Sequence, residues 1–355
     1  EGNNLRLTNM TKGSTSCYLY FDKQTIPPTV ETIVGDTTNK VEKVEFSGIA
    51  TEADTGIYSA PDDYGTSYYF RGVEDKLNNW VEFAGFYWRI IRINGNGTVR
   101  MIYAGAANGN PSNANKTGTT TQINGTTYAY NLTNNDNTYV GYMKSQNNSG
   151  NSLSYSGAHS NLYDSNAKAT IDSWYKTNIV DKGFSSYVDT NTGFCNDRQI
   201  DKTAHSSYQG DGYGTQQTAY APWGRLYQNS VWKTTQTPTL QCANKERDLF
   251  TLTSANIGNK KLTYPVGLIS SDEVVFGRGF GAANNITYYL YTNRIYWTMS
   301  PYRYPYAVMF TVDSNGHISN NNVNYTAAGL RPVINLRADT NFTGDGSESN
   351  PFVVV

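Results

Sequence analysis

Runs of β-branched and aromatic residues become dense from residue 66 onwards. They predict strands over 66–73, 80–93 and 98–103, because these side chains favour an extended backbone. The sequence Asn-Gly-Asn-Gly at 94–97 predicts a hairpin between the last two, since Asn and Gly tolerate the positive φ angles of primed turns. A further strand is predicted at the end of the chain, over 351–355.

A helical spacing of apolar residues is clearest over 165–183, where they recur at intervals of three to four. Either Ser165 or Asn166 caps the start of this predicted helix, and Gly183 closes it. Residues 104–164 are rich in Asn, Gly, Thr and Ser, which predicts long surface loops.

A capping box at Ser270 and Glu273 predicts a second, shorter helix, which Gly277 ends. Two short-to-medium helices among irregular antiparallel sheets and long loops favour an α+β fold.

Three segments are predicted from these patterns. Residues 1–22 resemble the tail of a preceding β-domain, and residues 23–65 a linker and lead-in. Residues 66–355 form the main domain, which is long enough to bury a large core.

Composition excludes several classes of partner. Charged residues make up 16% of the 355 residues and the net charge is -1, so no basic surface for nucleic acid is expected. No apolar run is long enough for a membrane span, and no signal peptide is expected. The chain is therefore either cytoplasmic or a trimmed ectodomain. Its many Tyr, Gly, Asn, Ser and Thr residues favour an extracellular or cell-surface location.

The three cysteines, Cys17, Cys195 and Cys242, lack the spacing of a metal site. Cys195 and Cys242 are either a disulfide or buried free thiols. Because an extracellular location permits the bond and the stretch between them has little regular periodicity, we predict a disulfide with Cα atoms roughly 4.4 to 6.8 Å apart. Cys17 is expected to remain unpaired.

No catalytic residue, metal ligand or cofactor is predicted. His159, His205 and His317 are widely separated, and each lies in a polar stretch that predicts a loop. No nucleophile-elbow pattern accompanies them.

The most distinctive stretch is a polar, aromatic insert between two buried strands near the C-terminus. Tyr supplies rigid contact area and Asn supplies adaptable hydrogen bonds, so the insert predicts a ligand-binding surface; the alternative is a decorated sheet edge. Its Pro residues predict a loop. The predicted ligand-binding residues are Tyr302, Arg303, Tyr304, Tyr306, Asn320, Asn321, Asn322, Asn324 and Tyr325. The framework residues Trp88, Trp297 and Arg331 are predicted to be structural, with Arg331 bound to a carboxylate or to backbone carbonyls.

An ordered series of motifs carries a family resemblance. The motifs are FAGFYWRII (83–91), TYVGYM (138–143), residues 171–180, FCNDR (194–198), YPVGLISSDEV (264–274), YWTMSP (296–301) and GLRPVINL (329–336). The chain resembles bacterial proteins with a C-type lectin fold of the formylglycine-generating-enzyme subclass. More closely, it resembles the variable proteins of diversity-generating retroelements and related surface proteins.

The resemblance implies a C-type lectin-like domain over 66–355, whose variable-type region at about 296–336 binds a protein or a glycan. Adenine mutagenesis of Asn codons cannot yield Lys, Glu, Gln, Met or Trp, and only Met309 represents those types between residues 300 and 328. The enzymes of this fold class use cysteines near the C-terminal Arg motif, whereas this chain has none after Cys242. The expected function is therefore non-enzymatic binding. The alternatives are an extracellular enzyme acting on carbohydrate or cell wall, and a structural pilus or surface subunit.

Overall fold

The computed structural model describes residues 26–355 except Val44, Asn147, Asn148, His205, Asn229 and Ser230. The predicted tail at 1–22, the pairing of Cys17 and the prediction for His205 lie outside the described residues. The α-helices are α1 (Pro28–Ile33), α2 (Asn113–Lys116), α3 (Tyr155–Ala158), α4 (Asn166–Tyr175), α5 (Ala221–Leu226), α6 (Lys245–Asp248) and α7 (Ser271–Phe276).

The β-strands account for most of the regular structure. They are β1 (Gly56–Asp62), β2 (Gly65–Arg71), β3 (Trp80–Phe83), β4 (Phe86–Ile93), β5 (Val99–Ala106), β6 (Met143–Lys144), β7 (Tyr163–Asp164), β8 (Phe194–Cys195), β9 (Thr218–Ala219), β10 (Tyr227–Gln228), β11 (Val231–Trp232), β12 (Leu249–Phe250), β13 (Tyr296–Tyr304), β14 (Val308–Val312), β15 (Ile318–Asn322), β16 (Val333–Leu336), β17 (Phe342–Thr343) and β18 (Phe352–Val354). Sheets with short helices between them give an α+β fold, as predicted. No helix among the described residues is both long and apolar enough to cross a bilayer.

The largest sheet has eight strands and is built around β4. Strands β2 and β3 pair with β4, β5 also pairs with it, and β16 extends the sheet beyond β5. The predicted turn at 94–97 joins β4 to β5: the Gly97 amide donates to the Asn94 carbonyl at 2.8 Å, and Gly97 has φ +83°. The predicted strand 80–93 is instead two strands, because Ala84 and Gly85 both adopt positive φ and reverse the chain.

The paired strands are antiparallel, as predicted, except for one pair among the described strands. The C-terminal strand β18 pairs with β3 in the parallel direction. The Trp80 amide at the start of β3 donates to the carbonyl of Gly346 at 3.0 Å. The preceding loop therefore delivers the C-terminal strand to the beginning of β3, and both strands run the same way.

The predicted linker is part of the folded domain. Val30 and Ile33 of α1 are buried in the common core, and the Phe46 ring contacts that of Phe276 at a centroid distance of 4.9 Å. Strand β1 pairs with β2 over its whole length, so the boundary predicted at residue 66 falls inside this hairpin. Scattered apolar residues bury enough surface to join the core without a regular sequence pattern.

Both predicted helices are present. The Ser165 hydroxyl accepts from the Lys168 amide at 3.0 Å and caps α4, which continues as a π-helix over Lys176–Val180. Gly183 follows with φ +82°. The capping box of α7 is formed by Ser270 and Glu273.

Buried aromatic residues connect the sheets, and Trp88 and Trp297 are fully buried among them, as predicted. The Trp88 indole donates to the Phe83 carbonyl at 3.1 Å, and that of Trp297 donates to the Tyr128 carbonyl at 2.8 Å. The polar loops at 104–164 are anchored on this core by Tyr139, Val140 and Tyr142, which are fully buried.

Candidate functional site

The polar, aromatic insert forms most of a four-stranded sheet with the order β15-β14-β13-β9. Strand β13 continues to Tyr304, where the sequence had predicted a loop. Pro301 is accommodated because the register of β13 against β14 shifts on both sides of it, and such irregular positions do not need a ladder donor. The backbone through residues 302–304 is therefore fixed by pairing with both neighbouring strands.

Two of the predicted contact residues, Tyr302 and Tyr304, are buried, so their prediction as surface residues is wrong. The Tyr302 ring lies 4.9 Å from that of Phe310 and 5.5 Å from that of Tyr227 between centroids. Burial raises the pKa of Tyr302 well above its usual value. Extension of β13 places Tyr302 against other aromatic rings and buries Tyr304 in the same core.

Arg303 is half-buried between the sheet and an adjacent loop. Its guanidinium lies 5.0 Å from the Tyr208 ring centroid and 5.7 Å from that of Tyr302, within the range of cation–π contacts. The guanidinium of Arg303 therefore contacts aromatic rings of the protein itself.

The other predicted contact residues lie near the surface at one end of the sheet. Tyr306 and Tyr325 are 61% and 37% exposed, and Asn322 and Asn324 are also exposed. Leu132, which sequence reasoning missed, is 60% exposed. An isolated large apolar residue within an Asn- and Thr-rich loop was the signal that could have indicated it.

Three backbone hydrogen bonds bring these segments together. The Val323 amide donates to Ala307, the Ala307 amide to Asn134, and the Asn131 amide to Val323, each at 2.9 Å. The loop containing Leu132, the β13–β14 turn containing Tyr306 and the turn after β15 thereby meet at one end of the sheet. We call this surface the aromatic-amide face and define it as Leu132, Tyr306, Asn322, Asn324 and Tyr325.

Asn320 and Asn321 are half-buried on β15. The Asn321 amide donates to the hydroxyl of Thr311 at 3.1 Å. Because side chains alternate along a strand, Asn320 and Asn322 lie on the opposite side of β15 from Asn321. Asn321 therefore supports the sheet, whereas Asn320 is a neighbour of the aromatic-amide face along the strand.

Arg331 is buried behind this sheet and bonds to backbone carbonyls, one of the two predicted kinds of partner. Its Nε donates to Tyr103 at 3.0 Å and its Nη1 to Leu290 at 3.3 Å. Its guanidinium lies 5.0 Å from the Tyr296 ring centroid. Burial lowers the pKa of Arg331. These contacts make Arg331 a tie between the two sheets.

His159 differs from the prediction of a polar loop residue, whereas His317 lies in a turn, as predicted. His159 is buried against the rings of Tyr155 and Tyr220 because it follows the one-turn helix α3 into the core. His317 is half-buried in the β14–β15 turn, where its Nδ1 lies 2.9 Å from Asp313. The Asp313 carboxylate also accepts from the Asn315 amide, so the pair stabilises the turn. Among residues that the structure describes, no three His, Cys, Asp or Glu side chains are grouped to hold a metal.

The predicted disulfide between Cys195 and Cys242 is confirmed, with Cα atoms 5.7 Å apart. It adjoins a buried cluster of charges. The Cys242 amide donates to Asp63, and Glu273 binds Arg92 at 3.1 Å and also Arg100.

Arg225 forms the other half of this charged cluster. It binds Asp197 and Asp272, each at 2.7 Å. Burial opposes the charged state of Arg225, but the two carboxylates outweigh it and raise the pKa of the guanidinium. Acidic and basic groups in this cluster thus neutralise each other. Their ion pairs connect α5, which carries Arg225, to α7, which carries Asp272.

Comparison with protein-family models, curated proteins and solved structures gives no match to this chain.

Proposed function

We propose that this chain is a non-enzymatic binding protein and that the aromatic-amide face is its ligand-contacting surface. The observation that carries the proposal is the convergence of two exposed tyrosines, an exposed leucine and two exposed amides on a backbone fixed by hydrogen bonds. Aromatic side chains on a preorganised backbone lose little entropy when they bind a partner. Exposed aromatic and amide side chains suit a macromolecular ligand such as a protein or a glycan.

We further propose that the fold is of the C-type lectin type and that residues 296–336 are a variable-type region. The buried positions of Trp297 and Arg331 within this stretch, with exposed Tyr306 and Tyr325 between them, support a fixed framework around replaceable positions. Neighbouring DNA tests this: a near-copy of the codons for 296–336 beside a reverse transcriptase gene is expected. A locus without such a copy contradicts diversification but leaves the binding proposal intact.

We propose an extracellular or cell-surface location. The Cys195–Cys242 disulfide supports it, because stable disulfides form in oxidising compartments. Trapping of free thiols in the native host is the test. A bond that is reduced in the host would contradict this location.

Binding is tested with the full chain against immobilised mucin, fibronectin, collagen and fixed epithelial cells. We expect the double variant Tyr306→Ala/Tyr325→Ala to weaken the strongest of these interactions at least about tenfold, which corresponds to about 1.4 kcal/mol. The melting temperature should change little because both side chains are exposed.

The matched control is Tyr163→Ala/Tyr187→Ala, which removes two other partly exposed tyrosines, 45% and 38% accessible. It should retain binding. Equal loss in both double variants, or no interaction with any of these targets, would contradict the proposal. Turnover of a cell-wall polysaccharide that persists in Tyr306→Ala/Tyr325→Ala would favour an enzyme instead.

A further inference from the structure

A second concave surface lies away from the aromatic-amide face and shares no residue with it. It is a groove of about 820 Å³, large enough for a small ligand. Five segments line it: the β1–β2 turn, the β4–β5 turn, the loop at 185–191, the loop at 256–257 and the residues that follow β16. We call it the loop groove.

Hydrogen bonds between these segments fix the walls of the loop groove. The Tyr64 hydroxyl donates to the Asn191 carbonyl at 3.4 Å and accepts from the Gly193 amide at 2.8 Å, which ties the β1–β2 turn to the loop at 185–191 and to the residues just after it. The Asn96 side-chain amide donates to the Thr192 hydroxyl at 3.0 Å, and the hydroxyls of Thr98 and Thr192 are hydrogen-bonded to each other at 3.0 Å. These bonds attach the β4–β5 turn to the same loop. The Arg337 amide donates to Tyr187 at 3.0 Å. The groove therefore exists before any ligand binds.

Charged groups at the loop groove are already engaged by the protein. Arg337 and Asp339 form an ion pair at 2.7 Å, and the Asp189 carboxylate accepts from the Asn191 and Thr192 amides. Asp63 binds Lys245 at 3.2 Å. Arg337 is the cation among the described residues that line the groove, and it is paired with Asp339, so an anionic ligand would have to compete with that carboxylate.

Uncharged polar side chains, in contrast, remain available. Within the described part of the chain, the side chains of Ser185, Ser186, Thr190, Asn191 and Asn256 form no hydrogen bond to protein. They supply both donors and acceptors. Tyr64, Val188 and Ile257 add apolar surface to the same walls.

We propose that the loop groove is a second binding site, specific for a neutral, hydroxyl-rich ligand of the size of one or two sugar units. A pyranose presents hydroxyls at its periphery and C–H groups on its ring faces. Free hydroxyls and amides beside apolar side chains complement both features. This site is independent of the aromatic-amide face and differs from it in ligand chemistry.

Ligand-observed NMR and calorimetry with the full chain test the site. The probes are glucose, galactose, mannose, N-acetylglucosamine and their homodisaccharides, with glucose 6-phosphate as the anionic comparison. At least one neutral sugar should bind with Kd of about 1 mM or tighter. The phosphorylated sugar should bind at least about tenfold more weakly than glucose.

Two variants locate the binding. Thr190→Trp, which fills the groove, and Asn256→Ala, which removes an amide, should each weaken sugar binding at least about tenfold. Thr253→Trp is the matched control, because Thr253 is exposed and lies three positions before Asn256 in the chain but does not line the groove. Tyr306→Ala/Tyr325→Ala should leave sugar binding unchanged.

The proposal is overturned if no neutral sugar binds, or if Thr190→Trp and Asn256→Ala bind as tightly as the native chain. Preference for the phosphorylated sugar would also overturn it.

Discussion

Tyr302 and Tyr306 lie four positions apart, yet one is buried among aromatic rings and the other is 61% exposed. Substitution by Ala should therefore have different effects on stability. Tyr302→Ala is expected to lower the free energy of unfolding by about 3–5 kcal/mol, since a large buried side chain leaves a cavity. Tyr306→Ala should change it by less than about 0.5 kcal/mol. Denaturant titration measures both, and equal losses would show that Tyr306 also packs in the core.

His159 gives stability a pH dependence. Burial lowers its pKa well below that of an ordinary histidine, and the charges of Arg198 and Arg247 lower it further. Below about pH 6.5, the value for an unfolded histidine, the unfolded chain therefore binds more protons than the folded one. The contribution of His159 is complete above that pH and is lost progressively as the pH falls toward the folded value.

In the native chain, the free energy of unfolding should decline as the pH falls from about 6.5 to 5, and His159→Phe should make this decline less steep. Denaturant titration at each pH measures the free energy. His317→Gln is the matched control, because it keeps His159. An unchanged slope in His159→Phe would assign the decline to other groups.

At the scale of elements, α7 is stabilised by the capping box at its N-terminus and by the ion pairs that Glu273 forms with buried arginines. Although burial opposes ionisation, Arg100 and Arg92 hold the pKa of Glu273 below its usual range. Glu273 also closes the capping box with Ser270. One side chain therefore joins the start of this helix to β4 and β5.

Glu273→Gln should lower the free energy of unfolding by about 3–5 kcal/mol, because it leaves buried guanidinium groups with too little negative charge. Ser270→Ala, which removes only the cap, should cost about 1 kcal/mol. Thermal or denaturant unfolding of the two variants distinguishes the effects. Similar losses would mean that capping accounts for the role of Glu273.

Because these ion pairs need an ionised Glu273 carboxylate, the stability of the fold should also fall in acid. Because the folded pKa of Glu273 lies below the usual glutamate value, its contribution is complete above about pH 4.3 and is lost as the pH falls further.

At the scale of the molecule, the Cys195–Cys242 disulfide closes a loop with a sequence separation of 47 residues. In the chain-entropy model, such a bond stabilises a protein by on the order of 3 to 4 kcal/mol. Cys195→Ala/Cys242→Ala should show this loss in denaturant unfolding. A reductant should destabilise the native chain similarly and leave the double variant unchanged. Fully reduced native protein with undiminished stability would contradict the prediction.

Local sequence determined much of the secondary structure. The turn at 94–97, the cap at Ser165 and the box at Ser270 and Glu273 each involve residues close in the chain, so side-chain and backbone chemistry specify them directly. The α+β class and the burial of Trp88 and Trp297 also followed from hydrophobic patterns.

Tertiary structure decided which residues of the insert reach the surface. Tyr and Asn have the same chemistry in a core contact as in a binding face, so composition could not separate Tyr302 from Tyr306. Their exposure depends on how far β13 extends and on rings contributed from positions such as Tyr227, distant in sequence. The meeting of Leu132 with Tyr325 likewise depends on hydrogen bonds between segments far apart in the chain. The sequence by itself therefore determined the local elements and the chemistry of the insert, whereas long-range packing decided its exposed surface.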